Sequence, residues 1–172
     1  MEVYLVRHTE TVCDKGICYG QADVDIREPY LTIFEEIKKQ LPSDVIVYSS
    51  PLLRCKKMAE FISNAIIFDE RLMEMNFGNW ELKNWDEIPT EEINPWMKNF
   101  VEVQVPNGES FQELYARILD FIQDLKVTSH SKIAIVTHAG VIRSFLCYEQ
   151  QLPLQNAFSN NVHYGEVIKI QM

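Results

Sequence analysis

No stretch of the 172 residues approaches the ~18 consecutive apolar positions a membrane span needs, and the N-terminus passes straight from MEVYLV to the charged RHTE. Neither a transmembrane segment nor a secretory signal is expected, and the chain reads as cytoplasmic. Positive charge is scarce as well: 16 Lys and Arg stand against 25 Asp and Glu, a formal net charge of −9. Neither nucleic acid nor anionic membrane is therefore an expected partner, since both require a positive footprint. A small anionic ligand stays open, because it needs only a local cluster of Arg and His. The four cysteines, Cys13, Cys18, Cys55 and Cys147, are scattered, with no CxxC pair and no zinc-type Cys/His spacing. Reduced structural thiols are expected, with no metal and no other cofactor, and the missing HExxH argues against a zinc hydrolase.

What is present suffices for one ordinary domain: 47% of the side chains are hydrophobic, enough to build a core without disulfides or metals. A single domain over residues 1–172 is the expectation. EVYLV (2–6) reads as a short strand, followed by a long polar loop. LTIFEEIKKQL (31–41) has helical spacing, with Thr32 as cap and Pro42 as stop. DVIVYSS (44–50) reads as a buried strand, and Pro51 fits the first turn of a helix through 52–65. IIFD (66–69) follows as a short strand. Residues 71–108, rich in Trp, Asn, Pro and acid, read as a lid inserted into the domain, with a weak helix over 85–100 interrupted by Pro89 and Pro95. GESFQELYARILDFIQDLK (108–126) is strongly amphipathic, with Phe111, Leu114, Ile118, Phe121, Ile122 and Leu125 on one face. KIAIVTH (132–138) is a buried strand, a helix covers 141–149, and EVIKIQM (166–172) alternates as a closing strand. Strands separated by helices imply an α/β three-layer sandwich with a mostly parallel central sheet, whose ligand site lies beyond the carboxyl ends of its strands.

His8 and His138 both end such strands, in YLV-Arg7-His8 and AIV-Thr137-His138. A lone histidine there is an ordinary turn residue, but two of them with arginines nearby point to a shared ligand. Arg7 precedes His8, Arg54 follows the turn SSPLL, and Arg143 follows His138; guanidinium forks suit phosphate oxygens. Arg54 has a second reading as a surface residue, and Arg143 as a structural one. The SSPLLR and HAG turns, each opening a helix, could add backbone donors for an anion.

The motifs LVRHTET, YSSPLLRCKKMAE, RLMEMNFGNWE, PNGESFQELYARI and VTHAGVIR, in this order, resemble those of the histidine phosphatase (phosphoglycerate mutase-like) superfamily. The resemblance implies a metal-free phosphomonoesterase in which His8 attacks phosphorus, Arg7, Arg54 and His138 surround the phosphoryl oxygens, and Glu74 protonates the leaving oxygen. An ordinary glutamate is ionised at neutral pH, so partial burial of Glu74 near Phe77, Trp80 or other lid aromatics is expected; Asp69, Glu70 and Glu81 are its rivals. Thr9 stands where the family usually has glycine, and Leu82 follows Trp80-Glu81 where glycine is common.

The loop KGICYGQADVDI is similar to that of the α-ribazole phosphatase branch. This makes α-ribazole 5′-phosphate, in cobalamin nucleotide-loop synthesis, the first substrate expectation, and a small, nucleoside-like phosphate ester the expected partner. Thr9, Tyr19, Gln21 and Ala139 are the candidate substrate contacts, with Tyr19 stacking on a base and Gln21 donating its amide; loop packing is the other reading of both. Trp80, Trp85, Trp96 and Phe77 are expected to present aromatic surface over the opening. The alternatives are a broad-specificity phosphomonoesterase, a small mutase-like enzyme, and a catalytically silent phosphate-binding protein.

Overall fold

The computed structural model describes all 172 residues. Its strands are β1 (Glu2–Arg7), β2 (Ile46–Ser49), β3 (Ile66–Phe68), β4 (Lys132–Thr137) and β5 (Val167–Gln171), and its helices α1 (Leu31–Lys39), α2 (Leu53–Ile62), α3 (Thr90–Lys98), α4 (Phe111–Lys126) and α5 (Ala139–Gln150). The five strands form one sheet in the order β3-β2-β4-β1-β5. All neighbours are parallel except β1 and β5, which pair antiparallel.

The central strands are hydrophobic at nearly every position because both faces of the sheet are covered. Alternate residues go to opposite sides. Val3, Leu5, Tyr48, Ile133 and Ile135 join one core with α4 and α5, while Tyr4, Val6, Val47, Ala134 and Val136 join another with α1 and α2. The six apolar residues expected on one face of α4 are all buried. That helix starts at a capping box in which Ser110 and Glu113 satisfy each other's backbone amides.

Several expectations of detail are corrected. α1 begins at Leu31 with no side-chain cap; Thr32 lies inside its first turn, past the position from which a hydroxyl reaches the free amides. α2 begins at Leu53, so Pro51 belongs to the turn before it. Between β3 and α4 the chain makes three one-turn 3-10 helices before α3, which Pro89 precedes and which accommodates Pro95. No helix is long and apolar enough to cross a membrane.

Candidate active site

The register of the sheet brings three strand ends together. Arg7 lies opposite Thr137, so His8 and His138 leave β1 and β4 side by side, with the His8 amide donating to the Thr137 carbonyl at 3.1 Å. Their rings meet edge to face, centroids 5.2 Å apart. Across β4, β2 ends at Ser49 opposite Val136, and the Ser50 amide donates to the Val136 carbonyl at 3.0 Å. Ser50, His138 and His8 thus follow one another across the end of the sheet.

Hydrogen-bond partners fix the tautomer of each imidazole. His8 Nδ1 lies 2.7 Å from the Thr9 carbonyl oxygen; a carbonyl only accepts, so Nδ1 carries the proton and Nε2 keeps its lone pair. His138 is the reverse. Its Nδ1 accepts from Arg54 Nε at 3.2 Å, so its Nε2–H donates to Ser50 Oγ at 2.8 Å. Burial, followed by the positive field of Arg54, holds both rings well below the usual imidazole range and therefore neutral. A neutral ring with a bare nitrogen is the form that can attack phosphorus.

Arg54 is fully buried, which removes its surface reading. Its Nη1 donates to the Ala22 carbonyl at 2.9 Å and its Nη2 to the Gly20 carbonyl. Arg7 Nη1 donates to the Val162 carbonyl at 2.6 Å, while Arg7 Nε and Thr9 Oγ1 are buried without any partner in the protein. Neither arginine pairs with a carboxylate. Two unneutralised guanidinium groups beside two unsatisfied buried polar atoms make a cradle for an anion. The Tyr19 ring lies 5.3 Å from the Arg54 Cζ and the Tyr164 ring 3.8 Å from that of Arg7. Their hydroxyls meet at 2.7 Å, closing an arch from two remote loops.

Glu74 is half-buried and tied to the start of α5: Oε2 accepts from the Gly140 amide at 3.1 Å and Oε1 from the Met75 amide at 2.9 Å. Only glycine permits this approach, because a Cβ at position 140 would sit 2.3 Å from Glu74 Oε1. The segment carrying Glu74 is clamped from α4. Arg117 donates to the carbonyls of Arg71, Met73 (2.7 Å) and Glu74 (3.0 Å) while pairing with Glu109 at 2.8 Å, and Glu109 in turn accepts the Asn76 amide at 2.8 Å.

Glu81 is built for another task than its rivalry with Glu74 suggested. It accepts the amides of Gly20, Gln21, Ala22 and Phe77 at 2.8–3.1 Å, fastening the loop under Arg54 to the segment after Glu74. Asp69 and Glu70 are likewise placed elsewhere: Asp69 caps a one-turn helix and pairs with Arg71, and Glu70 lies in that helix.

Other candidates fall differently from expectation. Gln21 Nε2 donates to the Glu74 carbonyl at 3.1 Å, which is loop packing. Ala139 is buried as the first residue of α5. At α2 the amides of Leu52 and Leu53 go to Ser50 Oγ and Asp23 Oδ1, so the SSPLLR turn does not offer them to an anion, and the Gly140 amide of the HAG turn goes to Glu74. Trp80 is completely buried, its Nε1 donating to Glu92 at 2.8 Å, so it neither faces the opening nor neighbours Glu74 there. Trp80, Trp85 and Trp96 pack on one another with centroids 5.7–6.3 Å apart as the core of their own segment. The aromatic rings beside Glu74 are those of Phe77, Trp96, Phe100, Phe111 and Phe158. Arg143 lies in the same cleft, half-buried, with its Nε donating to the Asn160 carbonyl at 3.2 Å. Ser50 as partner of His138, Tyr164, Arg117 and Glu109 were not anticipated. Glu109 and Arg117 both lie in the PNGESFQELYARI motif, which was their available signal; Tyr164 had none.

No group of three or more His, Cys, Asp or Glu side chains is arranged to hold a metal ion. Residues 3–172 match the profile of the histidine phosphatase superfamily, branch 1. The chain belongs to that family. Among its relatives is a Hydrogenobacter thermophilus protein provisionally named phosphoserine phosphatase 2, 31% identical over 99% of this chain and 89% of its own length. An Escherichia coli O1:K1 protein provisionally named phosphoglycerate mutase GpmB is 32% identical over 96% of this chain and 86% of its own. The crystal structure of the α-ribazole phosphatase from Shigella flexneri superimposes with a TM-score of 0.90 at 26% identity, covering 100% of this chain and 91% of that one. This histidine phosphatase therefore shares the five-stranded, mostly parallel sheet of the phosphoglycerate mutase-like structures.

Proposed function

We propose that the protein is a cytoplasmic phosphomonoester hydrolase that works through a phosphohistidine at His8. The observation that carries this reading is the neutral His8 ring, proton on Nδ1 and lone pair on Nε2, beside Arg7 and Arg54 with no carboxylate to neutralise them. In the first step Nε2 bonds to phosphorus, the ester P–O bond breaks, and the Glu74 carboxyl proton passes to the departing alkoxide. In the second, water attacks the phosphohistidine, its proton returns to Glu74, and the N–P bond breaks to release orthophosphate and the free ring. Arg7 and Arg54 hold the equatorial oxygens through both steps, joined by His138 when its Nε2–H turns from Ser50 Oγ to the phosphoryl group, a task that a metal ion performs in many other phosphoryl-transfer enzymes. Thr9 and Tyr19 contact the phosphate side of the site. We take the chain as one domain in which 71–108 is a lid carrying the acid.

The substrate reading is α-ribazole 5′-phosphate or a closely similar nucleoside-like monoester. It is supported by the fit to the Shigella flexneri enzyme and by the aromatic walls beside Glu74. A second reading, mutase-type transfer, is favoured by the relative named as a phosphoglycerate mutase. Rapid quench with a labelled phosphomonoester tests both. The expected result is an acid-labile label on His8, none in His8→Ala, and orthophosphate as the product; label that moves quantitatively to a second alcohol assigns the mutase, and no label at all sinks the proposal.

A further inference from the structure

Beyond Glu74 the molecule keeps an apolar groove for which the two-step chemistry has no use. Glu74 lines a narrow cleft of about 70 Å³ together with Phe77, Trp96, Phe100, Phe158 and Arg143. Three of these, Trp96, Phe100 and Phe158, are also walls of a second space of about 280 Å³, completed by Met97 and lined by nothing else. The larger space thus continues the cleft outward from the carboxyl group. Its walls come from two distant parts of the chain, α3 with the residues after it and the short helix Leu154–Ser159, joined where the Phe100 and Phe158 rings meet at 4.8 Å.

Met97 and Phe158 are 65% and 50% exposed, unusually open for large apolar side chains that adjoin one another around one hollow. The groove also has polar groups without an internal role. Trp96 Nε1 is buried with no partner. Arg143 Cζ sits 4.7 Å over the Phe158 ring, and only its Nε is bonded within the protein. An apolar hollow with a guanidinium donor in the adjoining cleft has the ordinary composition of a small-molecule site.

We infer that this groove receives the apolar half of the leaving alcohol: a flat aromatic or heteroaromatic group lies between Met97 and Phe158, and Arg143 donates to an oxygen near the ester. The inference rests on Glu74 as the acid and deepens that reading, because the oxygen that Glu74 protonates belongs to the same alcohol. It sets the substrate class as monoesters of alcohols bearing an aromatic group and disfavours serine, glycerate and glycerol esters, which leave the groove wet. A buried ring face is expected to contribute roughly 10- to 30-fold in kcat/KM.

The experiment compares kcat/KM for 2-(1-naphthyl)ethyl phosphate and glycerol 3-phosphate, two primary alkyl esters that differ in the group the groove would hold. It uses the wild type, Phe158→Ser, Met97→Ser and the control Ile67→Ser, an exposed residue on β3. The expected outcome is a naphthyl-to-glyceryl ratio of at least about tenfold in the wild type and the control, falling several-fold in both groove variants. A ratio near one in the wild type, or one that survives both groove substitutions, overturns the inference while leaving phosphohydrolase activity intact. Sedimentation of the same proteins covers the other occupant: a dimer lost in Met97→Ser with an unchanged ratio gives the groove to a second copy and overturns it too. If neither ester is hydrolysed and no phosphohistidine forms, the functional reading falls first, a result distinct from the loss of selectivity alone.

Discussion

The two sides of the site are held in place by different physics. In the cradle His8 and His138 follow strand ends and Arg54 lies in the first turn of α2, all three buried in the core, where close packing leaves each side chain one position. The wall that carries Glu74 lies in a segment with no strand and only short helices, and polar clamps position it: Arg117 from α4, Glu109 just before that helix, and the Gly140 amide from α5. Packing makes the first side rigid and readable from local pattern. Directional bonds from elements far along the chain make the second side adjustable and hard to foresee.

The sharpest way to break the contrast is to cut the clamp and spare the cradle. Arg117→Met removes three bonds to backbone carbonyls and the pair with Glu109. Misplacing an acid by about 1 Å costs on the order of 10² in rate, so kcat for an alkyl phosphate should fall by about that factor. Nitrophenyl phosphate, whose leaving group needs no proton, should lose only a few-fold, and the affinity for orthophosphate should stay put. Glu109→Gln, a milder cut, should show the same asymmetry at smaller size; equal losses for both leaving groups would mean that the clamp does not act through Glu74.

That asymmetry also describes what was legible in the sequence. The β1 and β4 patterns ending in His8 and His138 placed both imidazoles, because a buried parallel strand announces itself as an apolar run and its register puts the next residues together. The apolar face of α4 was equally plain. The antiparallel entry of β5 and the burial of Trp80 were not, since β5 pairs with a strand at the other end of the chain and Trp80 is covered by its own segment, its Nε1 reaching Glu92. Thr32 and Pro51 misled as boundary marks because both helices begin where the packing face dictates, a residue or two from the sequence signal. Tyr164 meets Arg7 and Tyr19 only through the fold.

Acid breaks the other side. An unfolded histidine takes up a proton near pH ~6.5, whereas His8 and His138 stay neutral in the folded protein to well below that. Their contribution is therefore fully present above pH ~6.5 and is lost as the pH falls beneath it, because the unfolded chain then binds two protons that the folded chain refuses. The unfolding free energy should drop with a slope approaching ~2.7 kcal/mol per pH unit from these two groups. Urea melts between pH 7 and 5 should show this slope as the difference between the wild type and His8→Asn/His138→Asn; identical slopes would mean that the rings are not held neutral.

The smallest effect lies where the two sides meet. Leu82 sits at φ +64°, a conformation that costs a branched side chain about 1 kcal/mol or more, while its amide donates to the Cys18 carbonyl at 2.7 Å. A turn that suits glycine is thus kept here under strain. Leu82→Gly should raise stability by ~0.5 kcal/mol, net of the extra freedom glycine has when unfolded, with kcat unchanged; a lower melting temperature would show that the leucine side chain contributes more than its backbone costs.

Glu81 lies beside this turn, and its one carboxylate gathers amides from residues 20–22 and from residue 77. The floor beneath Arg54 and the start of the aromatic wall therefore share a rivet. Displacing either loop must drag the other or shear that fastening, so the opening can widen only as a unit. The spacing between the loop under Arg54 and the wall that begins at Phe77 is set less by the hinge of any single loop than by the length of one side chain, and an aspartate there, one methylene shorter, could not span the same gap.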